Sequence, residues 1–455
     1  MRRCTVVLGV LIVASSMGMT DVRAQALAVA VPEEVGMSTV RLGRIRPLMQ
    51  AYVDEGKLSG VLTVVARRAK VVHFETVGQM DVESGAPMRS DTIFRIYSMS
   101  KVVNAVAVMM LLEEGKFLLT DPVADHLPGL AEMRVYVAGT SDSLQTESAR
   151  PITVLHLLTH TSGFIYGGED AVGELYRQAG ISGTPSRQAS APATLEDFIQ
   201  RLATLPLAAQ PGTAFHYGVS NDVLGRLVEV VSGRPYDEFL SERIFAPLGM
   251  VDTGFHVPDS KIGRFAANYV PAVGDLPEAL RDNDSSGSTD PGSRVSLLRL
   301  VDAPRQSVWR DRDQVPYAGA GLVSTAADYL RFAQMLLNGG ELDGARLLSR
   351  KTVELMMSDH TTPMTGPDPL RVFADYYEGC SAGFGFGLTG SVVIDAARTC
   401  TPGSVGSFSW GGAASTEWWL DPHEEIIGML FTQQLGSPYP LRAQMKVMTY
   451  QALVD

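Results

Sequence analysis

The chain carries strand-like apolar runs near both ends and helical apolar spacing in its middle. Residues 59–66 and 71–77 are β-branched runs separated by a basic turn, which predicts a hairpin. Strand-like runs return near the C-terminus, in segments 383–388, 391–394, 407–410, 417–420 and 425–431. A final helix is predicted from about Pro440.

Helical patterns fill the region between these strands. The most apolar one runs from Ser98 to Glu114 and has almost no polar face, which predicts a buried helix ending at Gly115. Two segments rich in Gly, Ser, Pro and Asp, Ala138–Pro151 and Arg281–Arg294, are interpreted as surface insertions. Further helices are predicted at 153–158, 195–204, 219–232, 236–246, 325–338 and 350–358.

Strands at both ends and helices in the middle predict an α+β fold. One antiparallel sheet is assembled from the N- and C-terminal segments and flanked by helices, with a mostly helical lobe inserted between them. We place the α/β lobe at about 25–95 and 320–455 and the helical lobe at about 96–319, within one domain of residues 25–455.

The first 24 residues have the features of a secretory signal peptide. Arg2 and Arg3 form a basic region, residues 4–19 form a short apolar stretch, and small residues precede a cleavage site after Ala24. We expect a secreted or periplasmic mature protein without a membrane anchor. The alternative is an uncleaved anchor, but Ser and Gly interrupt the apolar stretch, which is short for a bilayer span.

Composition and charge narrow the classes of partner. Hydrophobic residues make up 45% and charged residues 19%, which is typical of a globular protein. The net charge of -12, without basic clusters, argues against nucleic acid and anionic membranes as partners. Signal removal leaves Cys380 and Cys400, which either bridge the ends of a hairpin or stay as two thiols. The oligomeric state is left open.

The strongest chemical motif is Ser98-Met99-Ser100-Lys101, which opens the buried helix. At a helix start, the Ser98 hydroxyl would lie near the positive end of the helix dipole, which favours a developing alkoxide. Lys101 shares a helix face with Ser98, and we expect burial to lower its pKa toward that of a useful base. The alternative is an N-cap serine followed by a surface lysine.

Two later segments offer the remaining groups of a site. Tyr217 precedes a predicted helix, and a nearby ammonium would favour loss of its proton, which makes it a candidate proton shuttle. The alternative is an aromatic residue packed on the core. Gly411 and Gly412 follow Trp410 and allow close approach of another backbone or a ligand, as an oxyanion hole of main-chain N–H groups requires. A bulge or tight turn is the alternative there.

Other catalytic signatures have no support in the sequence. The G-x-S-x-G match at Gly379-Cys380-Ser381-Ala382-Gly383 is followed by a strand-like run and not by a helical pattern, so the nucleophile elbow of α/β-hydrolases has no support. His156 and His160 are four residues apart, but no Glu follows the first, so the H-E-x-x-H zinc motif is missing. We interpret both histidines as structural, and we expect no metal and no organic cofactor.

The three segments, in this order, resemble the serine β-lactamase and penicillin-binding-protein superfamily. The likeness is greatest to class C β-lactamases and the related family VIII carboxylesterases, and it covers nearly all of the mature chain. Three further stretches resemble structural landmarks of the superfamily: Asp121–Pro128, Ile152–Phe164 and Ala318–Asp328.

The resemblance implies a role for each candidate residue. Ser98 would be the acylated nucleophile, Lys101 its activating partner and Tyr217 the general base or acid. The backbone N–H groups of Ser98 and Ala413 would form the oxyanion hole. Trp410-Gly411-Gly412 would be the substrate-binding strand, where lactamases carry Lys-Thr-Gly.

The departures from the lactamase pattern favour ester over lactam substrates. Tyr217-Gly218-Val219 stands where lactamases have Tyr-x-Asn, and Trp410 and Gly411 replace a cation and a hydroxyl that would bind a substrate carboxylate. The expected substrate is therefore a small ester, hydrolysed through Ser98. β-Lactamase, D-amino-acid peptidase or acyltransferase activity on an ester or amide stays open, as does a non-catalytic binding module.

Overall fold

The computed structural model describes residues 27–272 and 297–455, apart from Pro367, Ala374 and Glu378. The predicted signal peptide and the insertion Arg281–Arg294 lie outside the described residues. In chain order the strands are β1 (Ala28–Val29), β2 (Gly60–Arg67), β3 (Lys70–Asp81), β4 (Ala86–Pro87), β5 (Ile93–Arg95), β6 (Arg134–Thr140), β7 (Ser143–Ser148), β8 (Asn268–Pro271), β9 (Leu298–Asp302), β10 (Val323–Thr325), β11 (Glu341–Leu342), β12 (Ala345–Arg346), β13 (Phe384–Phe386), β14 (Ser391–Val393), β15 (Phe408–Gly411), β16 (Glu417–Asp421) and β17 (Ile426–Phe431).

Strands from both ends of the chain form one large sheet. Within the described residues it has nine strands, in the order β1-β3-β2-β17-β16-β15-β14-β13, with β4 beside β3. Val64 of β2 lies opposite Met429 of β17, so the two ends of the chain meet in the middle of the sheet. Neighbours are antiparallel except for β1 and β3. The predicted α+β class is confirmed.

Both faces of the sheet are buried, which explains the continuous apolar runs in its central strands. Along β2, Leu62 and Val64 enter the large core, whereas Val61 and Val65 enter a second core on the other face. This alternation is the two-residue period of a strand. The central strands therefore have no face exposed to water.

The helices lie mostly in the region predicted from helical spacing. They are α1 (Thr39–Leu42), α2 (Ile45–Asp54), α3 (Ser100–Glu113), α4 (Val154–Leu158), α5 (Ala171–Gln178), α6 (Leu195–Leu202), α7 (Ser220–Ser232), α8 (Tyr236–Leu240), α9 (Ala246–Leu248), α10 (Ala326–Leu337), α11 (Arg350–Met356), α12 (Thr362–Thr365) and α13 (Leu441–Tyr450). Of these, none has the length and hydrophobicity needed to span a bilayer.

Two helices show how local sequence sets their limits. Helix α3 is buried over nearly its whole length, and Gly115 just beyond it has a φ of 69°, as predicted for the residue that ends a helix. The predicted helix 236–246 is interrupted by a π turn at Ser241–Phe245. The reason is Pro247, which has no N–H for the α-helical hydrogen bond and crowds the carbonyl four residues earlier.

Two predictions about surface and disulfide chemistry can be followed in the fold. Ala138–Pro151 does lie at the surface, but most of it belongs to the exposed β6–β7 hairpin rather than to a loop. Cys380 and Cys400 form a disulfide with Cα atoms 5.9 Å apart. The bridge encloses the β13–β14 hairpin, so the first of the two alternatives for these cysteines is correct.

Candidate active site

Ser98 lies in a tight turn before the buried helix. The turn is a 3-10 segment, Tyr97–Met99, and α3 begins only at Ser100, so the predicted helix start is wrong by two residues. Tyr97 has a φ of 43°, a strained backbone conformation, and its hydroxyl accepts a hydrogen bond from Asn268 at 2.8 Å. Ser98 is partly exposed, while both of its neighbours are buried.

Lys101 is fully buried and directs its ammonium at the Ser98 hydroxyl. Its Nζ donates to Ser98 Oγ at 3.1 Å, to Tyr166 Oη at 3.1 Å and to the Gly319 carbonyl at 2.7 Å. Nζ also lies 4.8 Å from the centre of the Tyr217 ring. The predicted serine–lysine contact therefore exists, and the lysine is not on the surface.

The expected lowering of the Lys101 pKa is wrong. Burial does lower the pKa of Lys101, but the phenols of Tyr166 and Tyr217 outweigh burial and raise it above the usual value. These tyrosines come from segments remote in sequence, so spacing around Lys101 gave no sign of them. Lys101 is accordingly a charged hydrogen-bond donor in the resting site.

Tyr166 is a site residue that the sequence reasoning missed. Its hydroxyl accepts from Lys101, and its ring makes an edge contact with Tyr217 at a centroid distance of 5.7 Å. Burial raises the pKa of Tyr166, so its phenol keeps its proton at neutral pH. The available signal was its position two residues beyond the landmark stretch Ile152–Phe164.

Tyr217 is held by contacts on several sides. The indole Nε1 of Trp410 donates to Tyr217 Oη at 3.2 Å, and the His160 ring lies 4.6 Å from the Tyr217 ring between centroids. His160 also accepts from the Gly218 N–H at 3.4 Å through Nδ1. Tyr217 is thus placed beside Lys101 by packing and by a donor to its oxygen, rather than serving only as a core aromatic.

Asp222 is a second residue that the sequence reasoning missed. It is fully buried on α7, and its Oδ1 accepts from the N–H of Gly319, whose carbonyl in turn accepts from Lys101. Within the described residues its Oδ2 has no hydrogen-bond partner. Burial raises the pKa of Asp222 to about 7. Asp222 therefore fixes the loop that receives the Lys101 ammonium.

The Trp410-Gly411-Gly412 strand runs directly past the Ser98 turn. A Cβ added to Gly412 would lie 2.4 Å from the Ile96 carbonyl and 2.4 Å from Thr416 Oγ1, so only glycine fits between β15 and that turn. Ala413, the next residue, is exposed while both of its neighbours are buried. This close approach places Ala413, two residues beyond Gly411, next in the chain to the glycine that packs on the Ser98 turn.

The two histidines considered for zinc have other contacts. His156 forms a capping box with Thr153 at the start of α4, and His160 packs on Tyr217. Across residues 27–272 and 297–455 as described, no group of three or more His, Cys, Asp and Glu side chains could hold a metal ion.

Comparison with known proteins defines the class. The fold is that of the serine β-lactamase and penicillin-binding-protein superfamily. The model of the Beta-lactamase family matches residues 45–448, and the chain belongs to this family.

The relatives include named esterases. Esterase EstB of Burkholderia gladioli is 31% identical over 391 residues, covering 86% of this chain and 89% of the relative. Protein Rv1367c of Mycobacterium tuberculosis (strain ATCC 25618 / H37Rv) is 35% identical over 390 residues, covering 84% and 87%. Among solved structures, "EstCE1, a hydrolase with promiscuous acyltransferase activity" is 28% identical with a TM-score of 0.72, covering 90% of this chain and 99% of that one.

Proposed function

We propose that this protein is an exported serine esterase that hydrolyses short-chain carboxylic esters through an acyl-enzyme on Ser98. The observation that carries the proposal is the convergence of Tyr166 and Tyr217 on the Lys101 ammonium, which donates to the hydroxyl of the partly exposed Ser98. Family membership and the named esterase relatives support ester hydrolysis.

Lys101 and Tyr217 carry the proton transfer in this mechanism. Lys101 Nζ lies 3.1 Å from Ser98 Oγ and 4.8 Å from the centre of the Tyr217 ring, so the two groups offer a path for the Ser98 proton. As the family resemblance implies, Tyr217 is the base that accepts this proton, directly or through exchange with Lys101. The Trp410 N–H donates to the Tyr217 oxygen and stabilises the phenolate needed for that step.

The reaction then proceeds in two halves. Ser98 Oγ attacks the ester carbonyl carbon while its proton passes to Tyr217, and the N–H groups of Ser98 and Ala413 bind the oxyanion. Tyr217 returns the proton to the leaving alkoxide and releases the alcohol. Water, deprotonated in the same way, attacks the acyl carbon, releases the acid and restores Ser98.

The test is loss of a single hydroxyl. Ser98→Ala should lower kcat/KM for a short-chain aryl ester by several orders of magnitude and abolish covalent labelling by a fluorophosphonate. Ser143→Ala, which removes an exposed hydroxyl on β7, is the matched control and should change neither. Full esterase activity in Ser98→Ala would contradict the mechanism.

Substrate class needs a separate comparison. Trp410 stands where a lactamase would carry a cation, so we expect kcat/KM for an aryl ester to exceed that for a chromogenic cephalosporin and for a D-Ala-terminated peptide. Transfer of the acyl group to an added alcohol is the second candidate, favoured by the acyltransferase activity named for EstCE1. A cephalosporin preference would overturn the assignment to esters.

Export is supported by the signal-like N-terminus and by the Cys380–Cys400 disulfide, which is typical of oxidising compartments. Expression in a bacterium should yield periplasmic or secreted protein that begins just after Ala24, as determined by N-terminal sequencing. Recovery of a cytoplasmic protein with an intact N-terminus would refute export.

A further inference from the structure

A buried ion cluster lies behind the Trp410-Gly411-Gly412 strand, outside the groups used above. Glu417 on β16 is 1% exposed, and Arg442 and Lys446 on α13 approach it. Arg442 Nε lies 3.4 Å from Glu417 Oε2, and Lys446 Nζ lies 3.8 Å from Glu417 Oε1. The two cations therefore share one carboxylate.

Arg442 also makes a contact that Lys446 does not. Its Nη2 donates at 3.1 Å to the carbonyl oxygen of Gly412, which accepts a second hydrogen bond from Ser415 N–H at 3.0 Å. That carbonyl and the N–H of Ala413 belong to the same peptide group. A cation on the carbonyl side draws electron density from the group, so the N–H becomes a stronger donor.

The polarised Ala413 N–H is available to bind a substrate oxygen. Among the described residues it has no protein acceptor, and Ala413 is exposed between two buried neighbours. The peptide thus carries a guanidinium at one end and, in the proposed mechanism, the substrate oxyanion at the other. The positive N–H end of the peptide dipole faces the oxyanion and the negative carbonyl end faces the guanidinium, so both interactions are favourable.

Glu417 does not neutralise the cluster, because Arg442 and Lys446 share its single carboxylate. Tyr376 Oη donates to Glu417 Oε2, and the Arg442 guanidinium stacks 4.1 Å from the centre of the Tyr376 ring. A Cβ on Gly411 would lie 2.6 Å from both Glu417 Oε2 and Tyr376 Oη. Gly411 is therefore required by this cluster, whereas the sequence had suggested ligand approach as its reason.

We infer that Arg442 is a positioning residue for the oxyanion hole: it orients and polarises the Gly412–Ala413 peptide so that the Ala413 N–H binds the developing oxyanion. This rests on the proposed acyl-enzyme mechanism. Arg442 does not touch the substrate. Its effect belongs to the transition state, where negative charge has formed on the carbonyl oxygen, and not to ground-state binding.

The experiment compares Arg442→Met with Lys446→Met, a matched control that removes a cation from the same helix and cluster without a contact to Gly412. Arg442→Met should lower kcat for an aryl ester about tenfold and change KM less than about twofold. The stretching frequency of the acyl carbonyl in the acyl-enzyme should rise, because the oxygen is less polarised. Lys446→Met should keep the wild-type kcat and frequency, and Arg442→Lys should recover part of the loss.

The outcomes separate this inference from the proposed function. Absence of an acyl-enzyme on Ser98 in the wild-type protein, seen by mass spectrometry, would refute the mechanism itself. An acyl-enzyme with equal losses in the Arg442 and Lys446 variants, or with an unchanged carbonyl frequency in Arg442→Met, would overturn only the role of Arg442. Thermal unfolding checks that each variant folds. If Arg442→Met or Lys446→Met does not fold, the comparison is repeated with Arg442→Gln and Lys446→Gln.

Discussion

Asp222 should make the stability of the protein depend on pH, and Asp222→Asn should remove that dependence. The carboxyl is fully buried, and burial raises its pKa from 3.8 to about 7. Between these values the folded protein holds a proton that the unfolded chain has lost. The free energy of unfolding therefore falls as pH rises through this window.

The size of the effect follows from the shift in pKa. Each pH unit well inside the window costs about 1.4 kcal/mol, so a rise from about pH 5 to about pH 7 lowers the wild-type free energy of unfolding by about 2 kcal/mol through Asp222. The asparagine keeps an oxygen that can accept from Gly319 N–H but does not titrate. Asp328, whose pKa burial raises to about 6, titrates in both proteins and cancels in the difference.

The assay is urea denaturation of the wild type and Asp222→Asn at a series of pH values from about 5 to about 8. The difference in free energy of unfolding should move in favour of the variant by about 3 kcal/mol across the series, and most of the change should occur below about pH 7. A difference that stays constant with pH, even if large, would refute the assignment of a raised pKa to this carboxyl.

Two further predictions follow from the site and from the edge of the sheet. Trp410→Phe keeps an aromatic ring but removes the N–H that donates to Tyr217, so kcat/KM for an aryl ester should fall about tenfold while the protein still folds. If the rate and the pH–rate profile are both unchanged, this N–H does not act on the Tyr217 phenol. The double variant Cys380→Ser/Cys400→Ser opens a loop whose ends are 20 residues apart in sequence, and chemical denaturation should show a loss of about 3 kcal/mol in the free energy of unfolding. Equal stability of the wild type and the double variant would contradict a stabilising bridge.

The main elements of the fold could be predicted from local patterns because both faces of the sheet are buried. Strands β2 and β17 are continuous apolar runs, and α3 is apolar all round, so periodicity and burial agree in each. The π turn after α8 was not predicted, since it depends on how a single proline is accommodated within a helical pattern.

The nucleophile and lysine of the site were predictable, whereas their surroundings were not. Ser98 and Lys101 belong to one four-residue motif, and the motif is visible in the sequence. Tyr166 contacts the Lys101 ammonium from another segment, Asp222 holds the Gly319 loop that receives it, and only folding brings these groups together. The direction of the Lys101 pKa depends on Tyr166 and Tyr217, which is why burial alone gave the wrong sign.

The pairing of β2 with β17 has a consequence for biogenesis. Val64 cannot find its partner Met429 until more than three-quarters of the chain has left the ribosome, so the centre of the sheet stays unpaired throughout most of translation. An apolar strand that stays unpaired for this long binds chaperones and is prone to aggregate. We expect soluble yield to depend more on chaperone supply and slow synthesis than on the stability of the finished protein.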